Sequence, residues 1–177
     1  MKPRSLARGL TAPLALMTCL TVPAAAQDDI RALGANRAWH GFMSGSGEET
    51  VCYMVSEPES SRGNYDNRGS VFAVVSRHRA DFADAVVSFE MGYDLAPDSE
   101  VRVSVDQQNA FTLVADGGRA WSPDAATDAA MVTAMRAGYE MVVEGVSAGG
   151  TATTDSYSLL GFTATLQAIE EGCAGEP

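Results

Sequence analysis

The chain is predicted to form a mainly β domain, an antiparallel sandwich or barrel-like fold with two helices, the last at the C-terminus. Three observations predict it. Short apolar runs alternate with period 2 and are separated by Gly, Asn and Asp turns. Two segments have helical spacing instead. No repeat, low-complexity tract or linker divides the chain. The 177 residues, 46% of them hydrophobic, are enough to bury one core.

The first 26 residues are set apart from this fold. Lys2, Arg4 and Arg8 form a cationic start, residues 10–22 are largely apolar, and Ala24, Ala25 and Ala26 supply small residues after Pro23. This is the pattern of a secretory signal peptide, with cleavage expected after Ala26. An uncleaved anchor fits less well, because Pro13 and Pro23 interrupt a run that is short for a span. A lipoprotein would use Cys19, but Met17 and Thr18 do not give the small residue that precedes such a cysteine. No membrane span is expected after cleavage.

Residues 27–36 are polar and read as a loose N-terminal arm. Residues 38–43, with Trp39 and Phe42, read as the first strand, followed by a turn at Gly45, Ser46 and Gly47. Residues 50–56 read as a strand buried on both faces, since Val51, Tyr53 and Val55 alternate with Cys52 and Met54. Residues 57–68 hold Pro58, Gly63 and two Asn and read as an exposed loop. Further strands are expected over 71–77, 85–91, 101–105, 111–114, 139–146, with Tyr139, Met141 and Val143 on one face, and 151–157. Residues 123–137 are Ala-rich, with Asp124, Thr127 and Asp128 as capping candidates, Met131 and Met135 on one face and Gly138 as a stop. Residues 159–173 place Phe162, Leu166, Ile169 and Cys173 on one helical stripe, with Ser158 as N-cap.

Charge and cysteine content narrow the function classes. The whole chain carries 12 basic and 23 acidic residues, a net charge of -11. Without the leader, nine Arg face the same 23 acids, which gives -14. Such acidity argues against nucleic acid and anionic lipid as partners and favours a soluble monomer, or a protein that lives in high salt where screening is strong. Three cysteines become two, Cys52 and Cys173. In an exported chain these most simply form one disulfide. The competing reading is a redox or nucleophilic thiol, for which no C-x-x-C and no neighbouring base is present.

No motif specifies a reaction, and no catalytic residue, cofactor site or metal site is expected. His40 and His78 are the only histidines, too few for a zinc set. No G-x-S-x-G elbow supports a serine hydrolase. The acid pairs Asp28–Asp29, Glu48–Glu49 and Glu170–Glu171 read as solvated charge. Gly117–Gly118 and Gly149–Gly150 lack the Lys of a phosphate loop. Trp39, Trp121, Tyr53 and Phe162 read as core packing. In the stretch 145–162, Asp155 is expected to bond backbone amides or nearby hydroxyls.

That stretch, with Thr151, Thr153, Asp155, Tyr157, Gly161 and Phe162, resembles the invasion-associated locus B family of alphaproteobacterial exported envelope proteins. Residues 52–58 (CYMVSEP) resemble its first cysteine motif. Gly92-Tyr93, Ala120-Trp121, residues 134–138 and the closing 169–173 follow in the family's order. The resemblance runs from Trp39 to Cys173. Gly149 and Glu59 depart from it, standing where relatives usually carry basic residues. It implies an exported, β-rich protein with a Cys52–Cys173 bridge and no established catalytic residues. Its motif residues would be structural or would serve interaction with a protein or envelope component. A periplasmic small-ligand carrier is the alternative, and a hydrolase a weaker one. The family's name refers to invasion of host cells, a role expected only in pathogens.

Overall fold

A computed structural model describes residues 30–79 and 85–174. The leader, its cleavage position and Cys19 lie outside the described residues. The strands are β1 (Arg31–Asn36), β2 (Trp39–Ser44), β3 (Val51–Ser56), β4 (Ser60–Gly63), β5 (Phe72–His78), β6 (Val86–Glu90), β7 (Glu100–Val105), β8 (Asn109–Asp116), β9 (Arg119–Trp121), β10 (Glu140–Val146) and β11 (Ala152–Ser158). The helices are α1 (Ala125–Ala137) and α2 (Phe162–Ala174).

The strands form one antiparallel sheet of 11 strands in the order β1-β2-β3-β5-β6-β9-β8-β7-β10-β11-β4. β3 and β4 are separated by residues 57–59, yet β3 pairs with β2 and β5 while β4 pairs with β11 at the far end. The sheet must therefore curl back on itself, with β4 continuing β3 across the gap. This is the barrel-like mainly β architecture that the alternating runs predict.

Alternation sorts the strands into an inner and an outer side. Cys52, Met54, Ala73, Val75, Val87, Phe89, Val101, Val103, Leu113, Met141, Val143 and Tyr157 point inward and are buried. Both helices pack on this inner side. α2 lays Phe162, Leu166, Ile169 and Cys173 into the core, as their spacing predicts, and Thr165 joins them. Its approach depends on Gly41, where a Cβ would stand 3.1 Å from Ile169 and 3.2 Å from Thr165. α1 buries Met131 and Met135, and Asp124 caps it by accepting from the Thr127 amide. Asp128 does different work: its buried carboxylate accepts the Val87 amide of β6 at 2.8 Å. The Cys52–Cys173 disulfide is present, with a Cα–Cα distance of 5.8 Å, and ties the last turn of α2 to β3.

Several expectations need correction. Residues 31–36 are not a loose arm but an edge strand, β1, paired with β2. The exposed stretch 57–68 contains β4, held by backbone pairing to β11. A short strand, β9, joins β6 to β8. Ser158 ends β11 rather than capping α2, which starts four residues later, and its hydroxyl accepts from the Leu160 amide. Tyr139 precedes β10 and is 74% exposed, so it does not share the buried face of Met141 and Val143. β3 is covered on one side only: Val51, Tyr53 and Val55 are half-buried. Glu170 is not plain solvated charge, because Arg77 and Arg136 both bond its carboxylate.

Candidate functional site

The motif residues 151–162 converge, but on the inside of the sheet. Thr153, Asp155 and Tyr157 alternate along β11 and all face the core. Asp155 receives the guanidinium of Arg68, with Nη1 to Oδ1 at 2.7 Å and Nη2 to Oδ2 at 2.6 Å. The two side chains are 4% and 0% exposed. Among the described residues Asp155 bonds this guanidinium, not the backbone amides or hydroxyls expected. Arg68 also donates from Nε to the Met91 carbonyl and lies over the rings of Tyr65 and Tyr93, at 5.4 and 5.0 Å from their centroids. The Tyr93 hydroxyl bonds Thr153. Every donor direction of the fork that this geometry uses is matched, which is what a charge needs in so dry a place.

Electrostatics follow the geometry. Burial works against the Arg68 charge, but the hydrogen bonds and attraction of Asp155 outweigh it and raise its pKa. Burial, more than any neighbour, raises the phenol pKa of Tyr93 and of Tyr157, and the Asp155 carboxylate adds to both shifts. This cluster holds the segment between β4 and β5 against β11. Of its side chains Tyr65 is exposed, while Arg68 and Asp155 are sealed from solvent.

The remaining motif positions are also structural. Phe162 is buried and meets Trp39 edge-on, with ring centroids 5.0 Å apart. Trp39 in turn donates from Nε1 to the Ser158 carbonyl at 3.0 Å. Gly161 has φ of +93°, and a Cβ there would lie 1.9 Å from the Asn36 carbonyl oxygen. Only glycine fits such a left-handed, crowded position. Thr151 stands in the turn before β11, and its amide donates to the Ser147 hydroxyl.

The accessible features lie on the outer side. A cleft of about 760 Å³ opens where the corner between β3 and β4 faces the end of β11. Phe42, Val55, Phe72 and Leu160 supply its apolar wall, and Arg37, His40, Glu57 and Glu59 its polar rim. Ser158 also lines it, so a histidine, a serine and two carboxylates share one cleft. Among the described residues no hydrogen bond joins His40 to Ser158, Glu57 or Glu59, and the Ser158 hydroxyl bonds the Leu160 amide. His78 lies exposed at the end of β5. Among the described residues no group of three or more His, Cys, Asp and Glu is placed to hold a metal.

The cleft floor continues into a wider surface. Phe42 stacks on Tyr53, with centroids 5.5 Å apart and planes at 28°. Cross-strand pairing carries this patch from Val55 to Val74, then through Ser88 to Trp121. Tyr53 and Trp121, expected in the core, are therefore outward and half-buried. A family model described as invasion associated locus B (IalB) protein matches residues 39–170. The chain belongs to the invasion associated locus B family. Comparison with curated proteins and with solved structures gives no match. The span matched by the IalB model starts at Trp39 in β2 and ends within α2, so it includes the Arg68–Asp155 pair and leaves β1 outside. Among the described residues no helix is long and apolar enough to cross a membrane.

Proposed function

We propose that this IalB-family protein is an exported, non-enzymatic envelope protein that acts by binding another protein or envelope component. One observation carries the reading: the polar groups of the motif face inward and satisfy each other, while the outer side offers an apolar cleft and sheet face. A cleft built for catalysis would instead join its acid, base and nucleophile by hydrogen bonds around a reactive atom. The leader-like residues 1–26 support export, and a bridge between Cys52 and Cys173 suits an oxidising compartment. The acidity supports a monomer that avoids nucleic acid and anionic lipid. A role in invasion is proposed only where the host bacterium is a pathogen.

The test has two arms. Fractionation with N-terminal sequencing should find the protein in the periplasm or medium, beginning at Gln27. A pull-down from envelope extract should recover a partner that survives washing and is absent with an unrelated acidic protein. Cytoplasmic protein with an intact leader would overturn export, and turnover of a substrate in an activity screen would overturn the non-enzymatic reading. A second reading, a small-ligand carrier, is favoured by the volume and apolar wall of the cleft. It would show as a small molecule retained by the purified protein and identified by native mass spectrometry.

A further inference from the structure

The outer side of the sheet is divided into two unlike halves. Over β7, β10, β11 and β4 its outward residues include Glu100, Arg102, Glu144, Thr154 and Arg62, a polar and charged surface. Over β2, β3, β5, β6 and β9 they are Phe42, Val51, Tyr53, Val55, Phe72, Val74, Val86 and Trp121, with Ser44, Ser76 and Ser88 between them, His40 and His78 at the strand ends beside Val55 and Val51, and the Glu90–Arg119 ion pair beyond Phe72. Glu90 and Arg119 neutralise each other two and three strands away from β3, and the outward residues of β3 itself, Val51, Tyr53 and Val55, carry no formal charge.

Both helices lie on the opposite side of these strands. Cys173 of α2 bonds Cys52, and Asp128 of α1 reaches the Val87 amide, so the outward half has no covering element among the described residues. A contiguous apolar face of this kind marks an interaction surface.

Charge indicates what covers it. Glu48 and Glu49 stand at one end of β3, and Glu57 and Glu59 at the other. All four are exposed, and none forms an ion pair among the described residues. Between them lie the six residues of β3, about 20 Å of strand. The result is an apolar lane with carboxylates at both ends. We propose that this lane docks a protein segment whose apolar run is bracketed by Lys or Arg, the cations meeting Glu48–Glu49 and Glu57–Glu59. The proposal rests on the interaction reading above and gives it a place and a partner chemistry. A second copy of this acidic chain, or an anionic lipid surface, would set like charges against the same carboxylates.

Three synthetic peptides test this on the purified, disulfide-intact protein, with Trp121 fluorescence and calorimetry as readouts. One alternates Val and Thr between Arg pairs, one has the same run between Glu pairs, and one replaces the run by Ser between Arg pairs. The first is expected to bind at one per chain, more weakly as salt rises. Tyr53→Ser should weaken it about tenfold, as loss of an aromatic anchor does. A combined E48Q, E49Q, E57Q and E59Q variant, changed only at exposed positions and therefore safe to fold, should weaken it and flatten its salt dependence. Equal binding of the Ser peptide or of the Glu-flanked peptide would overturn the proposal. So would displacement of the first peptide by phosphatidylglycerol vesicles, or a dimer of the protein that Tyr53→Ser dissolves. Should the first peptide fail to bind while both variants still capture the envelope partner, the interaction reading stands and this lane is not where it acts. Should neither peptide nor partner bind the unaltered protein, both fall.

Discussion

The guanidinium of Arg68 and the carboxylate of Asp155 form a two-pronged ion pair sealed from solvent, although 87 residues separate them in the chain. Removing one member leaves the other charged and dry. Asp155→Asn, or Arg68→Met alone, is expected to cost about 3–5 kcal/mol in urea unfolding. Arg68→Met combined with Asp155→Leu should cost clearly less than the sum of the single changes. Arg68→Lys should not restore the wild-type value, because an ammonium cannot supply the fork. Additive losses in this cycle would refute the pairing.

The bridge between Cys52 and Cys173 closes a loop of 121 residues. Constraint of the unfolded chain over such a length stabilises by roughly 4–5 kcal/mol at most. A C52S and C173S double variant should therefore unfold at markedly lower denaturant than the oxidised protein. A thiol assay on residues 27–177, purified, denatured and unreduced, should find no free thiol. Two per chain would contradict the bridge.

Gly161 and Gly150 separate crowding from backbone strain. Both have positive φ, +93° and +84°, but a Cβ at Gly150 meets nothing within 4 Å. Gly150→Ala should cost about 1–2 kcal/mol, the penalty of a left-handed residue. Gly161→Ala should cost more, because the Asn36 carbonyl must move to admit the methyl. Thermal melts of the two variants should fall in that order.

Tyr93 and Tyr157 give the fold an alkaline limit. Burial raises both phenol pKa values above the ordinary 10.0. A raised folded pKa means that the unfolded chain loses its proton first. The stability these groups contribute is complete below about pH 10 and is lost as pH rises through their folded values. Ultraviolet titration should show two phenols ionising late, and denaturant midpoints should drop over the same range. Phe at Tyr157 should remove its share of that drop. Unchanged stability above pH 10 would count against the burial of these rings.

Much of this was legible in the sequence where one side of an element faces oil and the other water. The stripe of Phe162, Leu166, Ile169 and Cys173 is such a case, as is the alternation over Val101, Val103 and Val105. β1 and β4 were not legible because they are nearly exposed on both sides, so pairing rather than burial makes them strands. The Arg68–Asp155 pair left no local signal, since its members meet only through β11 and the segment after β4. The apolar lane was half visible. Val51, Cys52, Tyr53, Met54 and Val55 announce two apolar sides, which reads as double burial. The structure covers one side fully and leaves the other half-exposed.

The corner at residues 57–59 bears on the order in which the fold can assemble. A chain growing from its N-terminus can zip β1, β2, β3 and β5 together as neighbours. Ser60–Gly63 must wait for the segment of β11 that pairs with it, some 90 residues later. Closure of the sheet thus waits for its last strand in the chain, and pairing over such separations is intrinsically slow. A chain cut short before Thr153 would keep its early hairpins and leave the seam of the ring unsewn.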